Sequence, residues 1–214
     1  MLAEHWPLFG LRIRVGAVEL RLPTDAELSL LASVAAAGIQ KPGTRTFLTP
    51  WTDLPPAERA RWVVQSSWSG RGEWTPERWW LGLGVFADGV PVGMQGLRAS
   101  SFGSLREVAT SSWLGLDHQG GGIGTAMRHG VLHLAFEGLS ASDATTASFV
   151  DNPAPLGVSR KLGYTDDGIT RDLLDGSVVV SQRLRLTRDR WAATRRPPVV
   201  IEGLAPCLEL FGAV

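Results

Sequence analysis

Cysteine is almost absent from this chain, and neither sign of charge is in excess. The single Cys207 excludes an intramolecular disulfide framework and any multi-cysteine metal site. So little cysteine favours a reducing, cytoplasmic environment. Arginine and lysine total 21, as do aspartate and glutamate. This balance argues against bulk electrostatic binding to nucleic acid or to an anionic membrane surface.

Long hydrophobic runs are also missing. The longest, near 81–87, is interrupted by glycine and is far shorter than the roughly 20 apolar residues of a membrane span. The first residues include Glu4 and lack the basic-then-apolar order of a secretion signal. Apolar residues nevertheless make up 44% of the 214 residues. That fraction is ordinary for a globular protein with a sizeable core.

The spacing of apolar residues predicts a mixed α/β domain. Residues 11–22 alternate as a strand, and residues 26–37 repeat at helical spacing up to Gly38. Further strands are predicted over 79–87, 90–99, 106–116, 144–150, 164–171 and 178–186, with helices over 57–68, from 123 to near 138, and from 152 to 163. This order requires a parallel strand step around the long helix. The tryptophan-rich segment 41–76 either caps a ligand pocket or forms a satellite core.

A glycine-rich segment separates the third consecutive strand from the long helix, and it reads Gln119-Gly120-Gly121-Gly122-Ile123-Gly124-Thr125. Glycine lets the backbone approach an anion, and the unpaired N–H groups of a helix start favour phosphate. Arg128, one turn into the helix, could add a charged contact. No Gly-Lys-Ser/Thr follows, so this is not an ATP- or GTP-type phosphate loop. The dinucleotide-binding pattern is not completed from either Gly120 or Gly122. The two interpretations left for this segment are a phosphate-binding loop of another kind and a tight turn.

The residual pattern is Gln-x-x-Gly-x-Gly, and it resembles the acyl-CoA loop of the GNAT superfamily of N-acetyltransferases. A second block from Asn152 to Tyr164, ending in Lys-Leu-Gly-Tyr, is similar to that family's Asn-x-x-Ser/Ala…Lys-Leu-Gly-Phe/Tyr segment. The stretches 111–114 and 5–9 look like the RimJ/RimL branch, and like an actinobacterial subset of it that includes a succinyl-CoA-using member. The resemblance spans roughly residues 11–186.

This resemblance implies a fold and a domain organisation. The expected fold class is α/β (α+β): a central mixed, mostly antiparallel sheet of about seven strands with flanking helices. We expect a single acyltransferase domain over residues 1–214, with its core at about 11–186 and a C-terminal extension at 187–214. The apolar Leu208, Leu210 and Phe211 of that extension pack either on the domain or on another subunit, in a homo-oligomer.

The resemblance also implies acetyl-CoA or succinyl-CoA as co-substrate, without a metal. Its pyrophosphate contacts fall on the backbone of Gln119, Gly120, Gly121, Gly122, Ile123, Gly124 and Thr125. The pantetheine arm would pair with the strand end at Trp113, Leu114 and Leu116. Asn152, which caps the last helix in the family, and Ser159 complete the implied cofactor-binding set.

The implied reaction is direct attack by a primary amine, on a small molecule or a protein, in a ternary complex. Ser159 stands where many members carry a tyrosine general acid, so its implied role is to protonate the departing CoA thiolate. Leu116 replaces the glutamate of RimL-type proteins. The candidate bases are Asp117, which follows it directly, and Glu107, earlier on the same strand, where other members of the family place a carboxylate. Ser159 could instead be a small helix residue without a catalytic role, and each carboxylate a surface charge.

Three other interpretations stay open. The missing glutamate at position 116 is compatible with a non-catalytic module that senses acyl-CoA. An arginine-rich run could bind nucleic acid, although the neutral total charge favours a solvated surface; it comprises Arg183, Arg185, Arg188, Arg190, Arg195 and Arg196. His129 and His133 have a metal-ligand spacing but lack the zinc-protease glutamate, and we interpret them as a solvated helix face.

Overall fold

The computed structural model describes residues 2–41, 43–44 and 46–214, and its centre is one sheet. The strands are β1 Arg12–Val15, β2 Val18–Arg21, β3 Arg78–Ala87, β4 Val90–Ser100, β5 Glu107–Leu114, β6 Asp143–Phe149, β7 Thr165–Leu174, β8 Ser177–Thr187 and β9 Val200–Glu202. The spatial order is β7-β8-β6-β5-β4-β3-β2-β1-β9. Every neighbouring pair is antiparallel except β5–β6. The expected mixed, mostly antiparallel sheet is confirmed, and the described residues form nine strands of it rather than about seven.

Helices cover both faces of this sheet. They are α1 Leu2–His5, α2 Asp25–Ala37, α3 Pro56–Gly72, α4 Phe102–Leu105, α5 Ile123–His133, α6 Pro153–Lys161 and α7 Arg188–Ala192. On one face, α2 and α3 pack on β4 and β3 around a small core that includes Leu31, Trp51 and Met94. On the other, α5 packs on β1, β2, β4 and β5, over the larger core. The long helix therefore joins the parallel strands β5 and β6, as predicted.

Local sequence signals account for the start of α2. Thr24 Oγ1 accepts from the Glu27 N–H at 3.3 Å, and the Glu27 carboxylate accepts from the Thr24 N–H at 2.9 Å. This reciprocal capping satisfies two donors that a helix start leaves unpaired. Arg21 adds two hydrogen bonds to the same carboxylate. Gly38 ends the helix, as its sequence position predicted.

The predicted strand over 11–22 is instead a hairpin, so that prediction was wrong. Val15 pairs with Val18, and Gly16 makes the turn at φ +56°. Buried residues fall on odd positions up to Val15 and on even positions from Val18 onward. A two-residue turn shifts the alternation in this way, because both strands must bury the same face.

The C-terminal extension packs on its own domain. Strand β9 pairs with β1 and extends the sheet by one strand. Phe211 is fully buried, with its ring centroid 4.9 Å from that of Trp79, and the Trp79 indole donates to the Phe211 carbonyl. Cys207 is buried in the same core. Of the two expectations for the apolar tail, the structure supports packing on the domain.

Candidate functional site

Strands β5 and β6 separate where their parallel ladder ends. Ladder pairing covers only the three pairs from Glu107–Asp143 to Ala109–Thr145. Beyond it, the Thr146 hydroxyl donates to the Thr110 carbonyl at 3.2 Å. In the described residues no ladder pair joins 111–114 to β6, so a gap opens at the carboxyl ends of these two strands. Open α/β sheets bind ligands at such places.

The backbone of β5 presents polar groups to this gap. The Gly115 N–H donates to the Val92 carbonyl at 2.9 Å, on the β4 side. Hydrogen-bonding directions alternate along an antiparallel pair, so the N–H groups of Ser112 and Leu114 face away from β4, into the gap. The Leu116 N–H is already bonded to the Gly38 carbonyl at 3.1 Å. Among the predicted strand-end contacts, Leu114 therefore offers the N–H donor.

The glycine loop forms the mouth of the gap. Gly120 and Gly122 have φ of +83° and +86°, a region that side chains other than glycine rarely adopt. A Cβ added at Gly120, Gly121 or Gly122 would meet no atom within 4 Å, so the loop borders open space. The N–H groups of these three glycines donate to no other described residue. Together with Ile123 and Gly124 at the start of α5 they form a cradle of the kind that suits an anion. The predicted backbone contact of Thr125 is not available, because its N–H donates to the Gly122 carbonyl at 3.0 Å.

Gln119 braces this loop through its side chain. Its amide nitrogen Nε2 donates to the Ile39 carbonyl at 2.8 Å and to the Leu114 carbonyl at 3.0 Å. One amide thus links the loop, the end of β5 and the segment after α2. The sequence predicted only a backbone contact for Gln119. The side-chain role depends on Ile39, 80 residues away in the chain, and no local pattern signals it.

Arg128 does not reach toward the loop as expected; it turns into the space between β5 and α6. The residue is only 4% exposed. Its Nη2 donates to Ser112 Oγ at 3.0 Å, and its Nη1 lies 3.4 Å from Ser159 Oγ. Burial lowers the pKa of Arg128, yet a guanidinium stays protonated at neutral pH. A buried positive charge therefore lies beside the gap.

Ser159 and Tyr164 complete a buried polar cluster with Thr110, Ser112 and Arg128. Ser159 Oγ donates to the Pro155 carbonyl at 3.0 Å while it accepts from Arg128. The Tyr164 hydroxyl lies 3.5 Å from Thr110 Oγ1, and burial raises the pKa of Tyr164. The structure thus brings Ser159 to the gap. The cluster was not predicted, because its members lie on β5, α5, α6 and the turn before β7.

Asn152 immediately precedes α6. Its N–H donates to the Phe149 carbonyl at 3.0 Å, at the end of β6. Within the described parts of the chain its side chain makes no capping hydrogen bond to the helix, which differs from the expected cap. Pro153 at the first helical position needs no such acceptor for its own nitrogen, which carries no proton.

The two candidate bases lie in different places. Asp117 is exposed in the 3₁₀ turn Leu116–His118, between the end of β5 and the glycine loop. Glu107 begins β5, seven residues before Leu114, or about 23 Å along an extended strand. Its carboxylate is paired with Arg185 at 2.5 Å. The structure therefore does not bring Glu107 to the gap.

Trp113 faces the opposite side of the sheet, toward α2 and α3. Its ring meets Trp51 edge-on at 6.0 Å, and Trp51 stacks on Trp62 at 4.3 Å. Trp51 is buried with α2 and α3 residues. Trp51 and Trp62 of the tryptophan-rich segment thus belong to a satellite core, and Trp113 packs against it from β5. Trp68 is exposed, and Trp74 stacks on Trp79 of the larger core.

Members of the arginine-rich run, and His129 on α5, contact other parts of the chain. Arg185 pairs with Glu107, Asp143 and Asp167, and Arg188 donates to two backbone carbonyls, so these arginines serve the fold. His129 is buried, stacked on Trp191, and within 3.0 Å of the Pro197 carbonyl. Interpreting it as a solvated residue was wrong, because the C-terminal extension covers this face of α5.

Among the described residues, no group of three or more histidine, cysteine, aspartate or glutamate side chains is arranged to hold a metal ion. The same ranges contain no helix with the length and apolar character that crossing a membrane requires.

Comparisons with known proteins agree with this geometry. Residues 18–165 match the family model described as acetyltransferase (GNAT) domain. Mycobacterium smegmatis RimJ in complex with CoA-disulfide superposes with a TM-score of 0.64 at 18% identity, covering 87% of this chain and 95% of that one. RimL, a ribosomal L7/L12 α-N-protein acetyltransferase in complex with coenzyme A, gives 0.64 at 16% identity, covering 82% and 97%.

A third solved structure is the Microcin C7 self-immunity acetyltransferase MccE in complex with acetyl-CoA and AMP. It gives a TM-score of 0.62 at 14% identity and covers 81% of this chain and 93% of that one. These likenesses, all below 20% identity, show a shared fold.

Proposed function

Because this chain belongs to the acetyltransferase (GNAT) family, we propose that its substrate pair is an acyl-CoA and a primary amine. The acyl group is acetyl or succinyl, and transfer is direct, within a ternary complex. The observation that carries this proposal is the gap between β5 and β6, with the unpaired N–H groups of the glycine loop at its mouth.

The residues around the gap fit an acyl-CoA. The N–H groups of Gly120, Gly121 and Gly122, together with the first turn of α5, suit a diphosphate, because helix dipole and donors act in the same direction. The Leu114 carbonyl, which also faces the gap, suits an amide N–H of an extended pantetheine arm, which would add to the edge of β5 as a strand does. Asn152 lies at the far side of the gap, at the end of β6.

When bound, acyl-CoA supplies a thioester carbonyl as electrophile and a thiolate as leaving group. The Leu114 N–H is the donor we assign to the carbonyl oxygen, where negative charge develops. Ser159 would hand a proton to the sulfur side, and Asp117, alone or through water, would take one from the amine. Because the gap holds both partners, positioning supplies part of the rate.

The acceptor class rests on the neighbours and on the shape of the site. RimL, by its description, acts on the α-amino group of a ribosomal protein, and MccE was solved with AMP. Both a protein amine and a small-molecule amine therefore belong in a screen.

A second candidate, acyl-CoA sensing without transfer, is favoured by one observation. Leu116 carries no base, and Asp117 is exposed rather than held in the gap. Multiple-turnover assays separate the two functions. The protein would be incubated with acetyl-CoA or succinyl-CoA and a panel of amines, with free thiol and acylated amine both measured.

Transfer predicts many equivalents of free CoA per chain and a matching amount of acylated amine. Binding of acyl-CoA without either product, across peptides with free N-termini, lysine-containing peptides and small amines, would favour the sensor. Thiol release without acylated amine would indicate hydrolysis and would also contradict the proposal.

A further inference from the structure

Arg128 is a buried cation without an anionic partner. It is 4% exposed, and no carboxylate of the described residues lies within ion-pair distance of its guanidinium. Its hydrogen bonds go to neutral hydroxyls, those of Ser112 and Ser159 and also that of Tyr164, whose pKa burial raises, and its Nε has no acceptor. A charge removed from water and left unpaired is unfavourable, so its retention indicates that an anion completes the site.

The position of Arg128 identifies that anion. The gap closes at the Thr146–Thr110 hydrogen bond, and Ser112 is the next gap-facing residue of β5. A donor whose diphosphate lies on the glycine loop and whose arm follows β5 inward has its reactive end near Ser112. The reaction creates negative charge there, on sulfur, rather than at the loop.

We propose that Arg128 stabilises the CoA thiolate as it leaves, a role that rests on the proposed function. In the step, the amine nitrogen forms a bond to the carbonyl carbon, the C–S bond breaks, and sulfur keeps the electron pair. The nitrogen loses a proton to Asp117 or water. Arg128 is a positioning residue, because its guanidinium orients the Ser112 and Ser159 hydroxyls toward the sulfur and provides positive charge behind them.

The hydroxyl geometry supports this role. Ser159 Oγ currently accepts from Arg128 and donates to Pro155, a backbone carbonyl of its own helix. Rotation about one side-chain torsion redirects its proton while the guanidinium contact stays in reach. A serine alkoxide is far more basic than a thiolate, so Ser159 passes its proton to sulfur only as it is itself reprotonated from water, and until then the thiolate needs another source of stabilisation. A fixed cation beside it makes the thiolate itself a stable product.

The test measures the pKa of the CoA thiol in the binary complex, by ultraviolet absorbance of the thiolate during a pH titration. Bound to the wild type, the thiol should ionise with a constant at least about tenfold larger than that of free CoA titrated in the same buffer, a shift of about one pKa unit or more. Arg128→Gln should return the constant to that of free CoA, and Arg128→Lys should retain part of the change. Arg190→Gln is the control, since Arg190 is exposed and bonded to the Gly163 carbonyl.

Each outcome decides the proposal. An unshifted thiol in the wild-type complex overturns it without any variant, and so does a shift that survives in Arg128→Gln. If that variant instead loses selectivity for succinyl-CoA over acetyl-CoA, with the thiol pKa unchanged, Arg128 recognises an acyl carboxylate and the thiolate role is wrong. Failure of wild-type protein to bind CoA at all would contradict the proposed function, which is a different result.

Discussion

The Gln119 side-chain nitrogen lies 3.0 Å from the carbonyl oxygen of Leu114, the residue whose N–H faces the gap. The same amide bonds Ile39 at 2.8 Å, so the loop that would hold a diphosphate and the strand that would hold the thioester are fixed relative to each other. This brace sets the distance between the two halves of the proposed donor site.

We predict that Gln119→Ala weakens CoA binding about tenfold or more, because two hydrogen bonds that position the loop are lost. The stability cost should be about 1 kcal/mol, the usual net value of a hydrogen bond or two. Titration calorimetry with CoA measures the first effect and urea unfolding the second. Gln182→Ala is a matched control: its amide also donates to two backbone carbonyls, but on the β7–β8 hairpin. Equal loss of binding in both variants would refute the brace.

We expect Gly122→Ala to lose more free energy of CoA binding than the control Gly176→Ala, although both variants lose a similar free energy of unfolding. Alanine at φ +86° costs about 1–2 kcal/mol, and relief of that strain moves the N–H groups at the start of α5. Gly176→Ala imposes a similar strain at φ +74° in the β7–β8 turn, where a Cβ likewise meets nothing. Calorimetry should therefore separate two variants with comparable unfolding midpoints. Unchanged affinity in Gly122→Ala would remove the loop from the site.

Local signals in the sequence were sufficient for some of these features and not for others. The cap at Thr24, the stop at Gly38 and the Asp88-Gly89 turn are each determined by neighbouring residues, and the stop at Gly38 and the strands on either side of that turn were predicted. The glycine loop was predicted for the same reason. The first hairpin was missed because its only turn residue is Gly16, although the shift of buried positions from odd to even was present in the sequence.

Tertiary placement accounts for what the sequence did not reveal about the site. Arg128 was expected near phosphate because it lies one turn into α5, yet its side chain follows the space that β5 and α6 leave open. Glu107 was a candidate base because it lies on the same strand as Leu114, but a strand places its ends far apart. The direction of the Arg128 side chain and the distance from Glu107 to the gap both depend on tertiary packing, which the spacing of residues along the chain does not encode.

Acid should destabilise the protein through Glu27. Hydrogen bonds from Arg21, followed by those from Thr24, lower the pKa of Glu27 to about 2 from an ordinary 4.5. A lowered folded-state pKa stabilises the native state above pH 4.5, and this contribution is lost as pH falls toward 2. Glu27→Gln should therefore cost on the order of 1–2 kcal/mol at pH 7 and flatten the decline in unfolding free energy between pH 4.5 and 2.

Urea unfolding at a series of pH values measures this effect. Glu58→Gln, a change at an exposed carboxylate in the first turn of α3, is the control and should leave the decline as steep as in the wild type. If the Glu27→Gln variant shows the same plateau and the same slope of unfolding free energy against pH as the wild type, the Arg21 contact contributes no stability.

The C-terminal extension should be essential for stability. Phe211→Ala removes a ring that is fully buried against Trp74 and Trp79, and such truncations cost about 3–5 kcal/mol. Val214→Ala, at an 80% exposed position three residues later, should change stability by less than about 0.5 kcal/mol. Thermal unfolding followed by tryptophan fluorescence compares them. Equal midpoints would show that the extension is not part of the folded core.

The crystal structure of the protein with CoA tests the central claim most directly. We predict the diphosphate on the N–H groups of Gly120 to Gly124, the pantetheine arm between β5 and β6, and the sulfur beside Ser112 and Ser159. A diphosphate bound elsewhere, with the gap between β5 and β6 empty, would contradict this account of the donor site.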